Sequence, residues 1–241
     1  MLRTRDQLLA HVAHDLRTSL QGISLTSELL SRHAASPIPA EELRRSTERI
    51  VRATARMDRL IGDLVDVASI EAGKVKVTPL VQDSRGVVLE AREAFALAMH
   101  EAGLELRLEL ASEPLLGFLD AGRSLQVLGN LLSNAIKFTP SGGTVRLGVE
   151  AAGEDVRFFV ADSGSGIEPE HLEEIFERTW QAEPRRHGGM GLGLFVARAL
   201  VEAQGGRIWA RNEPGAGSTF FFTVPARQPQ REEAGSSVGA E

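Results

Sequence analysis

Two long stretches of helical period, separated by Ser36-Pro37-Ile38-Pro39, constrain this chain most. In the first, Leu9, Val12, Leu16, Ile23 and Leu30 recur at spacings of three, four and seven, which gathers them on one helix face. The two prolines forbid a continuous helix and make a turn. The second helix is expected to start near Pro39 or Ala40, with Glu41 and Glu42 at its positive end. It carries Leu43, Ile50, Met57, Leu60, Ile61, Leu64, Val65 and Ile70 before Gly73 stops it. A hairpin of this kind cannot bury its stripes alone. Association of two copies into a four-helix bundle covers both faces at coiled-coil-like crossings, and packing against the chain's own second domain is the alternative.

His14 lies off that apolar face. At roughly 100° per residue it sits about 160° around the helix from Leu16, so its ring is expected to project into water from a rigid backbone. The string AHDLRTSL puts Asp15 immediately after it and Thr18 one turn on. An imidazole beside an acid on an exposed helix face is a candidate nucleophile.

From Lys74 the texture changes. KVKVTPLV and LELRLEL read as strands, with a helix over Ser84 to Ala102 between them. Another helix is expected from about Arg123 to Phe138, then a turn at Pro140-Ser141-Gly142-Gly143. Strands follow at 144–150 and 155–161, a helix after Met190, and strands at 207–211 and 218–224. The expected class is α+β: a helical hairpin at 1–72 followed by an α/β sandwich at 74–225, its helices on one sheet face. The end, 226–241, is rich in Gln, Glu, Gly and Ser without a period and reads as a disordered tail.

Composition removes several function classes. At 241 residues the chain holds one or two domains, and its net charge of -6 without a long basic run argues against duplex nucleic acid as a partner. There is no cysteine, so thiolate chemistry and disulfides are excluded. No apolar stretch approaches the roughly 20 residues a bilayer span needs, and a cytoplasmic location is the expectation.

Three segments of the second part carry chemistry. In LGNLLSNAIKFT, Asn130, Asn134 and Lys137 share one helix face while Leu128, Leu131, Leu132 and Ile136 supply the other. An amide oxygen is a hard ligand suited to Mg²⁺, and an ammonium suits phosphate. Asp162-Ser163-Gly164-Ser165-Gly166-Ile167 follows the apolar strand VRFFVA; a carboxylate there can accept from an exocyclic amine of a flat base. Gly188-Gly189-Met190-Gly191-Leu192-Gly193-Leu194 opens a helix, and amides at a glycine-rich helix start form an anion cradle.

The order of these pieces resembles the catalytic core of bacterial-type sensor histidine kinases. AHDLRTSL is similar to the H-box, GNLLSNAIKFT to the N-box, DSGSGI to the first glycine box, IFERTWQ to the F-box, GGMGLGL to the second glycine box and GAGSTF to a third, together spanning about residues 5 to 225. The resemblance implies a dimerisation and phosphotransfer hairpin joined to a Bergerat-type ATP-binding domain. Autophosphorylation by ATP and Mg²⁺ would then be followed by transfer to an aspartate on the receiver domain of a response regulator. It makes His14 the phosphoacceptor, with Asp15 the acid that orients the imidazole, and Thr18 the residue that helps hold a water for dephosphorylating the regulator. Asn134 matches the Mg²⁺ ligand, with Asn130 near metal or phosphates and Lys137 on phosphate. Asp162 would receive the adenine amino group, Gly164 and Gly166 would let the base approach, Gly189, Gly191 and Gly193 would face the phosphates, and Thr219 would close the adenine pocket.

Ser19 stands where the family usually has proline, so the bend such a proline gives the helix is not expected. The segment from Thr179 to Gly188 is short for an ATP lid. His11, His33, His100, His171 and His187 match no catalytic position. No sensor segment is visible, so the input comes from a separate protein or from a larger chain of which this is a piece. The rival reading is a dimeric scaffold or regulator phosphatase that retains the fold without the kinase step; a chaperone- or topoisomerase-like ATPase leaves the hairpin unexplained.

Overall fold

The computed structural model describes residues 2–32, 38–178, 191–213 and 217–227. The expected tail and the lid segment therefore lie almost wholly outside the described residues. The chain divides into two compact units, one built on the N-terminal residues to Val75 and the other chiefly on residues 76–176 and 197 onward.

The first unit is the helical hairpin, α1 (Leu2–Arg32) packed on α2 (Ala40–Glu71). Helix α1 runs unbroken through Ser19, as the missing proline leads one to expect. Helix α2 starts after Pro39, whose φ of -55° suits a helix entry, and Glu41 and Glu42 lie in its first turn. It stops where Gly73 takes a left-handed φ of 62°. Gly73 N–H there donates to Ile70 and Lys74 N–H to Ser69, which satisfies the last carbonyls. Leu60 and Val67 are buried, yet Leu25 (61% exposed), Val51 (60%) and Val65 (60%) stand in water, along with Leu20, Leu29 and Ile61. The hairpin thus leaves much of its apolar surface uncovered.

The second unit is a five-stranded mixed sheet under helices. Its strands are β2 (Glu105–Leu110), β4 (Thr144–Ala152), β5 (Asp155–Asp162), β6 (Ile208–Glu213) and β7 (Gly217–Pro225), in the order β2-β4-β5-β7-β6. Only β2 and β4 are parallel. Helices α3 (Ser84–Glu101) and α4 (Ala121–Phe138) pack on each other and on the sheet, and α5 (Gly193–Ala203) precedes β6. Val145, Leu147, Val156, Phe158, Val160 and Phe222 alternate along β4, β5 and β7 with essentially no exposure, as do Val127, Leu128, Leu131 and Leu132 of α4, which packs on β5. Phe158 and Phe222 stack with centroids 4.6 Å apart.

The opposite sheet face is an aromatic row under arginines. Trp209 stacks on Phe221 at 5.3 Å, Phe221 lies against Phe159, and the guanidinium groups of Arg157, Arg207 and Arg211 cover the rings. Phe159 in turn reaches across β4 at Gly148. A Cβ there would come within 2.4 Å of both the Phe159 ring and the Glu109 carbonyl oxygen.

One strand expectation needs correction, and one strand is unforeseen. The alternation from Lys74 forms no strand before β1 (Leu80–Asp83), because Pro79 cannot donate to a ladder and Thr78 N–H is taken by the Asp120 carboxylate (2.8 Å). The partner of β1 is β3 (Leu116–Leu119), four residues too short to show a period, and the two form a separate antiparallel pair. Helix α4 begins two residues before the expected Arg123, since Asp120 caps it by accepting from Arg123 N–H at 3.1 Å.

Asp83 does the same for α3 and carries a consequence for acid stability. Its carboxylate pairs with the Arg85 guanidinium and accepts N–H bonds from Arg85 and Leu115, which lowers its pKa from 3.8 to about 2. A depressed folded-state pKa means the contribution is present above pH 3.8 and lost as pH falls through about 2. Asp83→Ala is expected to cost about 1 kcal/mol at neutral pH, with the difference from the unaltered chain shrinking over that acid range. Urea unfolding at a series of pH values measures both.

Candidate functional site

The phosphoacceptor candidate sits in the middle of α1. The backbone of His14 and Asp15 is helical, while their side chains lie outside the described residues. Thr18, one turn further, is exposed, and Ser19 is buried.

Helix α4 sorts its residues as the sequence predicts except at Ile136, which the sequence places on the buried side. Leu128, Leu131 and Leu132 are fully buried, whereas Asn130, Asn134, Lys137 and also Ile136 are half-buried. Lys137 has its ammonium 4.8 Å from the Phe138 ring centre, and partial burial lowers its pKa. A desolvated ammonium gains from a neighbouring anion, which suits it to phosphate. Among the described residues of this face, Asn134 offers an amide oxygen of the hard kind Mg²⁺ takes. One or two protein oxygens are enough for that ion when water and phosphates complete its shell, so the residues present fit it.

Asp162 ends β5 and is buried, held by two donors. Ser218 Oγ donates to Oδ2 at 2.6 Å and Gly164 N–H donates to Oδ1 at 2.9 Å. The next residue anchors the loop to β4: Ser163 N–H donates to the Thr144 carbonyl (3.1 Å), and Thr144 N–H donates to Ser163 Oγ (2.9 Å). Each carboxylate oxygen keeps a lone pair for another donor.

The glycines of this loop serve the protein's own packing. At Gly164 a Cβ would meet the Phe138 carbonyl oxygen at 2.5 Å, which ties the loop to the end of α4, and Gly166 has a left-handed φ of 73°. In the second glycine segment, Gly191 is left-handed (φ 66°) and Gly193 opens α5, while Gly189 lies outside the described residues.

The residue opposite Asp162 on β7 is Ser218, and Thr219 is opposite Ala161. Neighbours on a strand point to opposite faces, so Ser218 rather than Thr219 shares the face of Asp162. Sequence reasoning missed Ser218, and Asn212 on β6 as well; only the strand register could have found either. His171 is ion-paired with Glu174 at 2.9 Å, which raises its pKa, with Glu168 and Glu170 beside it. One imidazole among three carboxylates leaves this surface cluster net negative, and His171 matches no catalytic position of the family.

Family models match both units. Residues 4–73 match the His Kinase A (phospho-acceptor) domain, and residues 120–228 match the histidine kinase-, DNA gyrase B- and HSP90-like ATPase. The chain belongs to the sensor histidine kinase family. It is 34% identical over 217 residues to the sensor histidine kinase MtrB of Mycolicibacterium paratuberculosis, covering 89% of this chain and 38% of MtrB. It is also 34% identical to the adaptive-response sensory kinase SasA of Parasynechococcus marenigrum, covering 98% of this chain and 61% of that protein. The chain therefore spans well under two thirds of the first of these relatives. Among solved structures, full-length ShkA in complex with AMPPNP superposes with a TM-score of 0.66 at 30% identity, covering 91% of this chain and 45% of that one. ThkA in complex with the response regulator TrrA gives 0.62 at 25% identity, covering 94% and 63%. Among the described residues, no helix is long and apolar enough to cross a membrane.

Proposed function

We propose that the chain is an ATP-dependent protein-histidine kinase that phosphorylates His14 and passes the phosphoryl group to an aspartate of a response regulator. The observation that carries the nucleotide part is the buried Asp162 carboxylate, fixed by Ser218 and Gly164 with acceptor capacity left over. It takes the adenine amino group. Lys137 meets the phosphates, Asn130 lies near them, and the amides around Gly189, Gly191 and Gly193 add uncharged donors. Asn134 holds Mg²⁺, which when bound neutralises phosphate charge during transfer. The neutral ring nitrogen of His14 attacks the γ-phosphorus in line; the N–P bond forms as the bond to the ADP oxygen breaks. Asp15 orients the ring and stabilises the imidazolium-like charge that develops. This chemistry belongs in the cytoplasm, where ATP is abundant. Incubation with γ-labelled ATP tests the assignment: an acid-labile, alkali-stable label on His14 supports it, and a chain that binds ATP without acquiring label is the scaffold instead.

The uncovered Leu25, Val51 and Val65 support a homodimer in which two hairpins complete a four-helix bundle. Residues 1–72 alone are expected to be a helical dimer by light scattering, and residues 74–225 a monomer that binds ATP. A monomeric hairpin fragment counts against the bundle. Thr18 is exposed and one turn from His14, which suits its hydroxyl to orienting a water towards a phosphorylated carboxylate on a docked regulator. Thr18→Ala is expected to leave autophosphorylation within a few-fold while markedly slowing regulator dephosphorylation, both measured on purified proteins.

A further inference from the structure

The turn from Asp162 to Ile167 is held at both ends by residues that face each other across β6 and β7. At its start, Ser218 of β7 holds the Asp162 carboxylate. At its end, the side-chain amide of Asn212 grips the backbone of Ile167 on both sides: Ile167 N–H donates to Oδ1 at 2.9 Å, and Nδ2 donates to the Ile167 carbonyl. Asn212 and Ser218 are register partners. The grip spans 45 residues of sequence and takes the form of a strand neighbour, with one side chain supplying the donor and acceptor that a backbone would. Only an amide does this, since it carries both functions in one plane. Oδ1 also lies 3.3 Å from where a Gly166 Cβ would be, so the same side chain bounds the left-handed residue of the turn.

We propose that Asn212 is a positioning residue for base recognition: by clamping Ile167 it fixes the far end of the turn whose near end carries Asp162. The inference rests on the reading of Asp162 as the adenine acceptor. A carboxylate aimed by two donors at one end and a clamped backbone at the other accepts from the adenine amino group and repels the carbonyl oxygen that guanine has in its place. Loosening the clamp lets the turn adjust, so the loss falls on adenine recognition and spares phosphate contacts.

The test compares ADP and GDP affinities of the full chain, with Mg²⁺, in unaltered protein and in Asn212→Ala, Asn212→Asp and Asp162→Asn. Asn212→Ala is expected to weaken ADP by about tenfold and leave GDP within about twofold, so that the ADP-to-GDP ratio falls. Asn212→Asp keeps the shape and the acceptor for Ile167 N–H but turns lone pairs on the Ile167 carbonyl; it lowers the ratio too, and decides the matter if the alanine variant fails to melt cooperatively. A ratio unchanged in a folded Asn212 variant, or ADP and GDP affinities falling together, overturns the proposal. Asp162→Asn separates the two levels. If it leaves ADP affinity intact, the adenine reading fails and the positioning role falls with it. If it weakens ADP while the Asn212 variants do not, the role of Asn212 alone is wrong.

Discussion

His14→Gln abolishes autophosphorylation while leaving nucleotide affinity within about twofold, the largest effect expected of any single substitution here. Gln keeps a planar polar group of similar reach, yet its amide nitrogen shares its lone pair with the carbonyl and is not a nucleophile at phosphorus. Affinity survives because His14 lies in α1, whereas Asp162, Ser218, Asn134 and Lys137 belong to the second unit. Label incorporation from γ-labelled ATP and titration with ADP on the same preparation give both quantities. Equal loss of both removes His14 from the role of phosphoacceptor.

The second large effect is at Asn134. Asn134→Ala removes the amide oxygen on the half-buried face of α4 and replaces it with a better helix former, so the helix itself is not weakened. The expected result is a loss of about a hundredfold in Mg²⁺-dependent ATP affinity, with binding in EDTA unchanged. Calorimetric titration with and without the ion separates the two. Mg²⁺ that tightens ATP equally in the variant assigns the ligand role to another residue.

Much of this was legible because the informative patterns were long. The helical stripes and the Asn134 and Lys137 face repeat a helical period over two turns or more, the strand leading into Asp162 is an unbroken apolar run, and the structure has helices and a strand there. What stayed hidden depends on pairing between distant segments. β3 has no period to read, and KVKVT has the right alternation without a partner, because Pro79 and the Asp120 carboxylate intervene. The choice between Ser218 and Thr219 turns on a one-residue register against β5, and Asn212 matters through a turn 45 residues away. The side chains of His14 and Asp15 lie outside the described residues, so their part stands on the sequence and its family.

The aromatic row on the far side of the sheet changes how a mutational scan of this protein should be interpreted. Gly148 belongs to none of the nucleotide-binding motifs, yet any side chain there must displace the Phe159 ring or the Glu109 backbone. Phe159 is on β5, three residues before Asp162. A Gly148 variant can therefore lose ATP binding by bending the strand that delivers the acceptor, and in a screen scored on activity alone it mimics a lesion of the pocket. Scoring abundance beside activity sorts the two classes: Asp162→Asn, which keeps an acceptor for Gly164 N–H and offers Ser218 Oγ a donor, is expected to spare folded protein, whereas substitutions at Gly148 deplete it.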